Sequence, residues 1–508
     1  MRSTFMGIET SKRSLFTHQT SLQTTAHNMA NANTIGYSRQ VVNHVASIPM
    51  EAMGLQRSNT PGQLGTGVEF DYIKRIRETF LDDQFRSESQ AYGDWSMRAD
   101  TLEKLEAIIN EPSDTGIRQV IEGFWSAWQE LTKAPENLTA RVLVKERALA
   151  LTDAFNHSGK QLANLSADLT KSITAKSTQV DTLLDGIAGL NQEIYRVEGF
   201  GDNANDLRDQ RDLLVDELSQ LINVTVEENA NGYTISMGET ALVAGNVKNV
   251  TVNAEYFAGA YNGALSGGEI YGLIYSRDTT VAGYIDDLNK LADSLVNGQI
   301  EVTLPAGTVI PNGASVGGVT YTGTIANRTL ASDLTVTING FNELHQLGYK
   351  MDGTRGEPFF TLTPGNEALS FGVNPNIVSD VSGIVSSNRV VSQNGVETTV
   401  SGNNEMALLL AGVQLKKING EGTLDEMFQS IVGEMGVASQ EAIRQSKNLE
   451  VLVDQVEMRR QSVSGVSLDE EMSNMIKFQH AYNSAARIMT AFDEMLDKVI
   501  NGMGIVGR

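Results

Sequence analysis

The stretch AHNMANANTIGYSRQ, residues 26–40, decides how the rest of the chain is read. Running into it, Phe5, Ile8, Leu15, Leu22, Ala26 and Met29 recur on a three- and four-residue spacing, with polar residues at two missed steps. That pattern predicts one amphipathic helix from about Thr4 to Ala32. Asn33 and Gly36, residue types that tolerate turn geometry, end it. A first helix is usually tied to a nearby core, yet residues 49–70 read as a Gly/Pro-punctuated loop with short extended pieces. The matching stripe lies near the other end of the sequence.

There Ser467 and Glu470 form a Ser-x-x-Glu capping box. It opens a helix striped with Leu468, Met472, Met475, Tyr482, Ala485, Met489, Phe492, Leu496 and Val499. Residues 1–48 carry a net charge of +3 and residues 467–500 a net charge of −3. Exposed ion pairs add only ~0–1 kcal/mol each, so the charges permit a pairing without deciding it. The expectation is a coiled coil whose core is Phe5, Ile8, Leu15, Leu22 and Met29 against Leu468, Met472, Met475, Tyr482, Met489, Phe492, Leu496 and Val499. So few apolar residues hold a lone helix pair poorly, so the ends are expected to order against neighbouring subunits.

The middle is bounded by proline. All nine prolines lie between Pro49 and Pro375, leaving 1–48, 136–304 and 376–508 free of this helix breaker. Helical periodicity covers about 72–110, 115–132, 137–199, 205–221, 279–297 and 435–463. Between them, VTVEENANGYTISM alternates apolar and polar residues around Asn231-Gly232, which predicts a hairpin, with further strands up to about Ser276. Removing 298–339 joins Asn297 to Gly340 and continues the helical stripe through Phe341 and Leu344. This strand-like, Gly- and Thr-rich segment therefore reads as an insertion into a helix.

The predicted fold class is mainly α: an elongated coiled-coil and helical bundle formed by the N- and C-terminal segments, with nested small β subdomains. Residues 1–48 with 463–508 would form the terminal coiled coil. Residues 49–297 with 340–462 would form a helical bundle with a β-hairpin lobe at about 222–277. Residues 298–339 would be an inserted outer β domain.

Composition narrows the function. The net charge of −23 disfavours nucleic acid as a partner. Cysteine is absent, which removes disulfides, thiolate catalysis and Cys-ligated metals. No apolar run is long enough for membrane insertion, and no compact apolar segment suggests a cleaved signal peptide. The six histidines, His18, His27, His44, His157, His345 and His480, form no His-x-x-x-His pair, so polar interfacial roles are expected and no metal site. Asp206, Asp209 and Asp212 lie among Arg208 and Arg211 and read as a salt-bridged helix face. DGTRGEPFF (352–360) lacks the alternating acids of a calcium loop and reads as a turn. No catalytic residues and no cofactor are expected.

These residues resemble the axial proteins of the bacterial flagellum, the rod, hook and hook-associated proteins. Asn28, Ala30, Asn31, Thr34, Gly36 and Tyr37 match their signature loop, with Met29 where a branched aliphatic is usual and Ile35 where Pro is common. SGVSLDEEMSNMIKFQHAYNSAARIMTAFDEMLDKVIN (464–501), NDLRDQRDLLVDELSQL (205–221) and LHQLGYKMDGTRGEPFF (344–360) are similar to the hook-associated members at the hook–filament junction. The resemblance implies a non-enzymatic subunit whose terminal helices join an inner helical tube. It implies a homo-oligomeric ring contacting the hook protein and a second junction protein on the filament side. It also implies a cytoplasmic chaperone on the C-terminal helices, and type III export without a cleaved signal peptide to the extracellular flagellum. The rivals are a hook or rod subunit, which would lack the 137–199 coiled coil, and an exported peptidoglycan-acting enzyme, which would need an acid pair in a cleft. A cytoplasmic coiled-coil scaffold, the third, should not need ends that order on assembly.

Overall fold

A computed structural model describes residues 5–48, 65–109, 116–229, 231–393 and 395–502. The expected loop at 49–64 lies outside the described residues. Helix α1 (Met6–Ala30) is followed by strands β1 (Gln40–Ala46) and β2 (Val68–Arg75), paired antiparallel. Tyr72, expected to open a helix, lies in β2, where Val68, Phe70 and Tyr72 alternate with polar residues at strand period. Then come α2 (Thr79–Ile109), α3 (Ile117–Lys133), the 61-residue α4 (Leu138–Glu198) and α5 (Asn205–Leu221). The proline-free, uninterrupted three–four rhythm accounts for the length of α4.

A four-stranded sheet follows, in the order β3 (Thr225–Asn229), β4 (Gly232–Met237), β5 (Thr240–Ala244) and β6 (Val247–Lys248). Gly232 already belongs to β4, opposite Asn229. The strands stop there, short of Ser276. Asn253 caps α6 (Ala254–Ala260) by accepting from the Tyr256 N–H, and α7 (Glu269–Tyr275) leads through a π-helical turn into α8 (Ala282–Asn297).

Residues 299–339 hold β7 (Gln299–Leu304), β8 (Ala314–Val316), β9 (Val319–Tyr321), the short α9 (Ile325–Arg328) and β10 (Leu334–Asn339). β7 and β10 pair so that Gln299 faces Asn339, which puts the two ends of the segment side by side, and α10 (Gly340–Gln346) resumes the helix. After α11 (Glu367–Ser370), α12 (Pro375–Ser379) and α13 (Glu405–Gly412), the sequence closes with α14 (Leu424–Ser464) and α15 (Leu468–Asn501).

Two compact units emerge. Unit 1 comprises residues 1–94, 174–271 and 446–508, and unit 2 comprises 95–173 and 272–445. The heart of unit 2 is aromatic. Phe124, Trp125, Trp128, Phe341, Phe359 and Phe360 are buried, with the Phe124, Phe341 and Phe359 rings 5.5–6.2 Å apart. The inserted segment is fastened to the same unit. Val309, Tyr349 and Val390 cluster, and the buried Arg328 donates to the Ile310 carbonyl (2.9 Å) and the Tyr349 hydroxyl (3.0 Å) and pairs with Glu397. Residues 350–354 turn back on themselves, with Gly353 at φ +82° and its N–H on the Lys350 carbonyl.

Candidate functional site: the joint of the terminal helices

In unit 1, α1 lies antiparallel to α15, with Asn28 beside Glu471 at one end and Gly7 against Phe492 at the other. A Cβ on Gly7 would collide with the Phe492 ring, so glycine allows this close approach. On α15 the residues Glu471, Met475, Phe478, Tyr482, Ala485, Met489, Phe492 and Leu496 are buried or half-buried on one three–four stripe. Glu471 and Phe478 are the members that the sequence reading missed. Leu468, Met472 and Val499 instead stand 46–48% exposed, and Ile476, Ile488 and Met495 more so.

The side of α1 that is buried is polar: Ser11, Thr17, Ser21, Thr24, Thr25 and Asn28. The hydroxyls of Ser11, Thr17, Ser21 and Thr24 each donate to the carbonyl four residues earlier, at 2.9–3.0 Å. That satisfies them inside the helix and lets them be buried without penalty. Ile8, Leu15, Leu22 and Met29 are half-buried, while Phe5 is exposed.

Asn28 organises the exit from α1. Its amide nitrogen donates to the Gln40 carbonyl (2.8 Å) and Glu471 (3.0 Å). Its oxygen accepts from the Tyr37 hydroxyl (2.8 Å) and the Gln40 N–H (3.0 Å). Two donors and two lone pairs are the full capacity of a side-chain amide. Burial, then the charges of Asp206, Asp209 and Glu471, push the Tyr37 pKa up, so its hydroxyl stays a donor. Asn31 closes the helix, its N–H and side-chain nitrogen both donating to the His27 carbonyl at 3.1 Å. Thr34 folds back on Asn31 through its N–H (2.9 Å) and its hydroxyl (3.2 Å). Gly36 has φ +80°, and a Cβ there would press on Leu213 at 3.2 Å. Ala30 and Ile35 are exposed.

Beneath this loop lies α5. The Ser38 N–H donates to Asp209 (2.9 Å) and the Gln40 side chain to Asp206 (2.7 Å). Asp209 and Asp212 share Arg75 at 2.7 and 2.8 Å, Arg77 holds Asp82 at 2.6 Å, and Asp216 takes Arg86 (2.9 Å) and Arg460 (2.5 Å). Four arginines thus meet four aspartates in a largely buried network. Burial pushes Asp212 up, but Arg77 and Arg75 outweigh it and hold the carboxyl down at about 2. At Asp209 burial prevails over Arg75 and the Ser38 N–H, and the pKa rises.

The aspartates of α5 do not pair with Arg208 and Arg211, as the sequence suggested. Each arginine stands one or two positions from its nearest aspartates, and such neighbours point to different sides of a helix. Arg208 turns to Glu198 (2.6 Å) and Glu228 (2.7 Å), and Arg211 donates to Asn191 (3.0 Å). The true partners come from β2, α2 and α14, which spacing within one helix could not reveal. Among the described residues no group of three or more His, Asp or Glu could hold a metal ion, and no helix is long and apolar enough to cross a membrane.

Paired first and last helices, an Asn/Gly exit loop bonded to both and a long helical middle with small separate sheets define a mainly α-helical structural protein. The comparisons with known proteins go further. The pattern for the flagellar hook-associated protein FlgK helical domain matches residues 102–299, ending where the inserted segment begins, and that for the flagellar basal body rod FlgEFG protein C-terminal matches 460–502. Flagellar hook-associated protein 1 of Bacillus subtilis (strain 168) is 35% identical over 523 residues, covering 100% of both chains. Its Escherichia coli (strain K12) counterpart is 23% identical over 95% of this chain and 97% of that protein. The solved structure of the flagellar hook junction protein FlgK from Burkholderia pseudomallei superposes with a TM-score of 0.54 at 14% identity, covering 75% of this chain and 100% of that one, which speaks for the fold. The chain belongs to the flagellar hook-associated protein 1 family.

Proposed function

We propose that this chain is a non-enzymatic subunit of a homo-oligomeric ring at the junction of hook and filament. The observation that carries the reading is the inversion at the paired ends, where polar side chains are buried and Leu468, Met472, Ile476, Ile488, Met495 and Val499 remain exposed on α15. Apolar surface on helices that already pair within the chain calls for further copies to cover it. On this reading Phe5, Ile8, Leu15, Leu22 and Met29 of α1 complete a tube with the α15 stripe, and the Asn28–Tyr37 loop sets the direction in which the chain leaves that tube. The partners are the hook protein on one side and a second junction protein on the other. A cytoplasmic chaperone covers the C-terminal helices before type III export to the extracellular flagellum. Residues 1–48 with 463–508 form the innermost layer, 49–297 with 340–462 the next, and 298–339 the outermost. The adjacent ends of the inserted segment suit that last step.

Electron microscopy of cells lacking the chain, with an assay for flagellin in the medium, tests the role. Complete hooks without filaments and flagellin shed outside are expected. Missing hooks would move the chain inward to the rod or hook, and normal filaments would overturn the proposal.

A further inference from the structure

Sequence spacing keeps the six histidines apart, but the fold brings two of them together at the joint. The His18 ring on α1 and the His44 ring on β1 are 5.9 Å apart, and both stack on Phe478 of α15, at 6.4 and 5.9 Å with interplanar angles of 30° and 24°. Three segments therefore meet through three rings.

The hydrogen bonds constrain the two rings differently. The Ser21 hydroxyl donates its one proton to the Thr17 carbonyl at 2.9 Å. Its 2.9 Å contact with His44 Nε2 must then be an N–H donated by the imidazole. His18 Nδ1 is buried without a hydrogen-bond partner. A neutral and a protonated imidazole can both donate from Nε2, so the bias toward neutral rings comes from the unpartnered Nδ1 of His18 and from the nearby Lys477.

Among the described residues no carboxylate pairs with either imidazole. On α15 the neighbouring charge is Lys477, whose ammonium lies 5.9 Å from the Phe478 ring centre, and Glu471 is taken by Asn28 and Arg39. On β2, Phe70 stands opposite His44; beside it Glu69 is held by Arg13 at 2.7 Å, and Asp71 is exposed. Burial, then His44, lowers the pKa of His18, and burial, then Lys477, lowers that of His44. The face of Phe478 can soften one positive charge. A second, between that charge and Lys477, is screened by the solvent that reaches the exposed His44 but is paired with no carboxylate among the described residues.

We infer that the His18–His44–Phe478 stack is an acid-released latch between the first and last helices, clamping α1 and β1 to α15 while both rings are neutral and letting go when they are protonated. The sign follows from linkage. A histidine whose pKa is lower in the closed form stabilises that form fully above its ordinary value, and the contribution is lost as the pH falls through the ordinary value toward the lowered one. Acid surroundings would then free both ends of the subunit. The latch belongs to the single chain, so it stands or falls independently of the ring proposed above.

The chain has no cysteine, so Gln19→Cys on α1 and Gln479→Cys on α15, both exposed, give two defined spin-label positions in the full-length protein. Electron–electron distances would be measured from about pH 8 to about pH 5, across the range where histidine titrates. The expected result is one short distance at the alkaline end and a rise of about tenfold or more in the open population at the acid end. With His18→Leu and His44→Gln the short distance should persist in acid. Lys477→Glu keeps both rings and supplies the missing carboxylate, so it should also hold the ends closed and serves if the double variant does not fold. Ends open throughout, ends closed throughout, or acid opening unchanged by both variants would each overturn the latch.

Discussion

The centre of unit 2 and the joint of unit 1 are held by opposite means. Around Phe341 the contacts are ring against ring, which is strong through area but indifferent to direction. At the joint, Asn28, Tyr37, Gln40, Ser38 and the Arg–Asp network make directional bonds that work at one register only. The difference teaches where apolar surface is wanted. A segment that must keep its apolar side chains for a neighbouring copy cannot also bury them in its own core, and a satisfied polar network lets it close without them. In the subunit ring proposed above, unit 2 is free of that constraint, and it buries its aromatic residues outright.

The comparison breaks most directly at Phe341. Phe341→Ala should cost about 3–5 kcal/mol, the range for truncating a buried phenylalanine. All three tryptophans lie in unit 2, so their fluorescence in urea reports this unit. A loss under about 1 kcal/mol would show that the ring cluster does not hold it.

The next largest effect tests the same core by pH. His345 is fully buried, sharing a hydrogen bond with the Glu357 carbonyl (2.6 Å) through Nδ1 and accepting from the Val385 N–H (3.2 Å) at Nε2. Burial pushes its pKa down to about 4. Unfolded chains then bind the proton first, so stability is full above the ordinary value near 6.5 and falls by about 3 kcal/mol as the pH drops from there toward 4. Urea melts across that range should show the slope, and His345→Gln should flatten it.

Asn28→Ala sharpens the other side. It strips four hydrogen bonds at once and should cost about 2–3 kcal/mol, with faster hydrogen exchange confined to α1, β1 and the start of α15. Equal exchange in unit 2 would deny that the joint is a separate cooperative element. Gly36→Ala should have the smallest effect, about 1–2 kcal/mol, because a Cβ is disfavoured at φ +80°. The same exchange measurement on β1 reads it.

Much of the helical frame was legible. α4 and α5 were visible because three–four periodicity ran without proline or glycine pairs to confuse it, and Asn297 and Asn339-Gly340 marked the ends of the inserted segment. β2 was not, because Phe80 and Phe85 beyond it made the helical pattern look continuous back to Tyr72. The strands expected up to Ser276 gave way to α6, where Asn253 and Glu255 supply a cap and a first-turn acid. At the joint, the signature residues could be read, but their bonds could not. Asn28 finds Glu471, Arg75 finds Asp209 and Arg460 finds Asp216 across more than a hundred positions. The buried side of α1 was also misjudged, since hydroxyls that satisfy themselves within the helix look solvent-facing in a sequence.

The bond between Asn28 and Glu471 spans 443 positions. Loop-closure entropy grows only logarithmically, by about 0.6 kcal/mol per doubling, so such a distance is inexpensive at equilibrium. In time it matters more, because contacts this remote form late. A chain synthesised from its N-terminus has Asn28 long before it has Glu471, and a product that stops before residue 471 lacks that carboxylate. Closure of the joint therefore waits until the chain extends at least to Glu471.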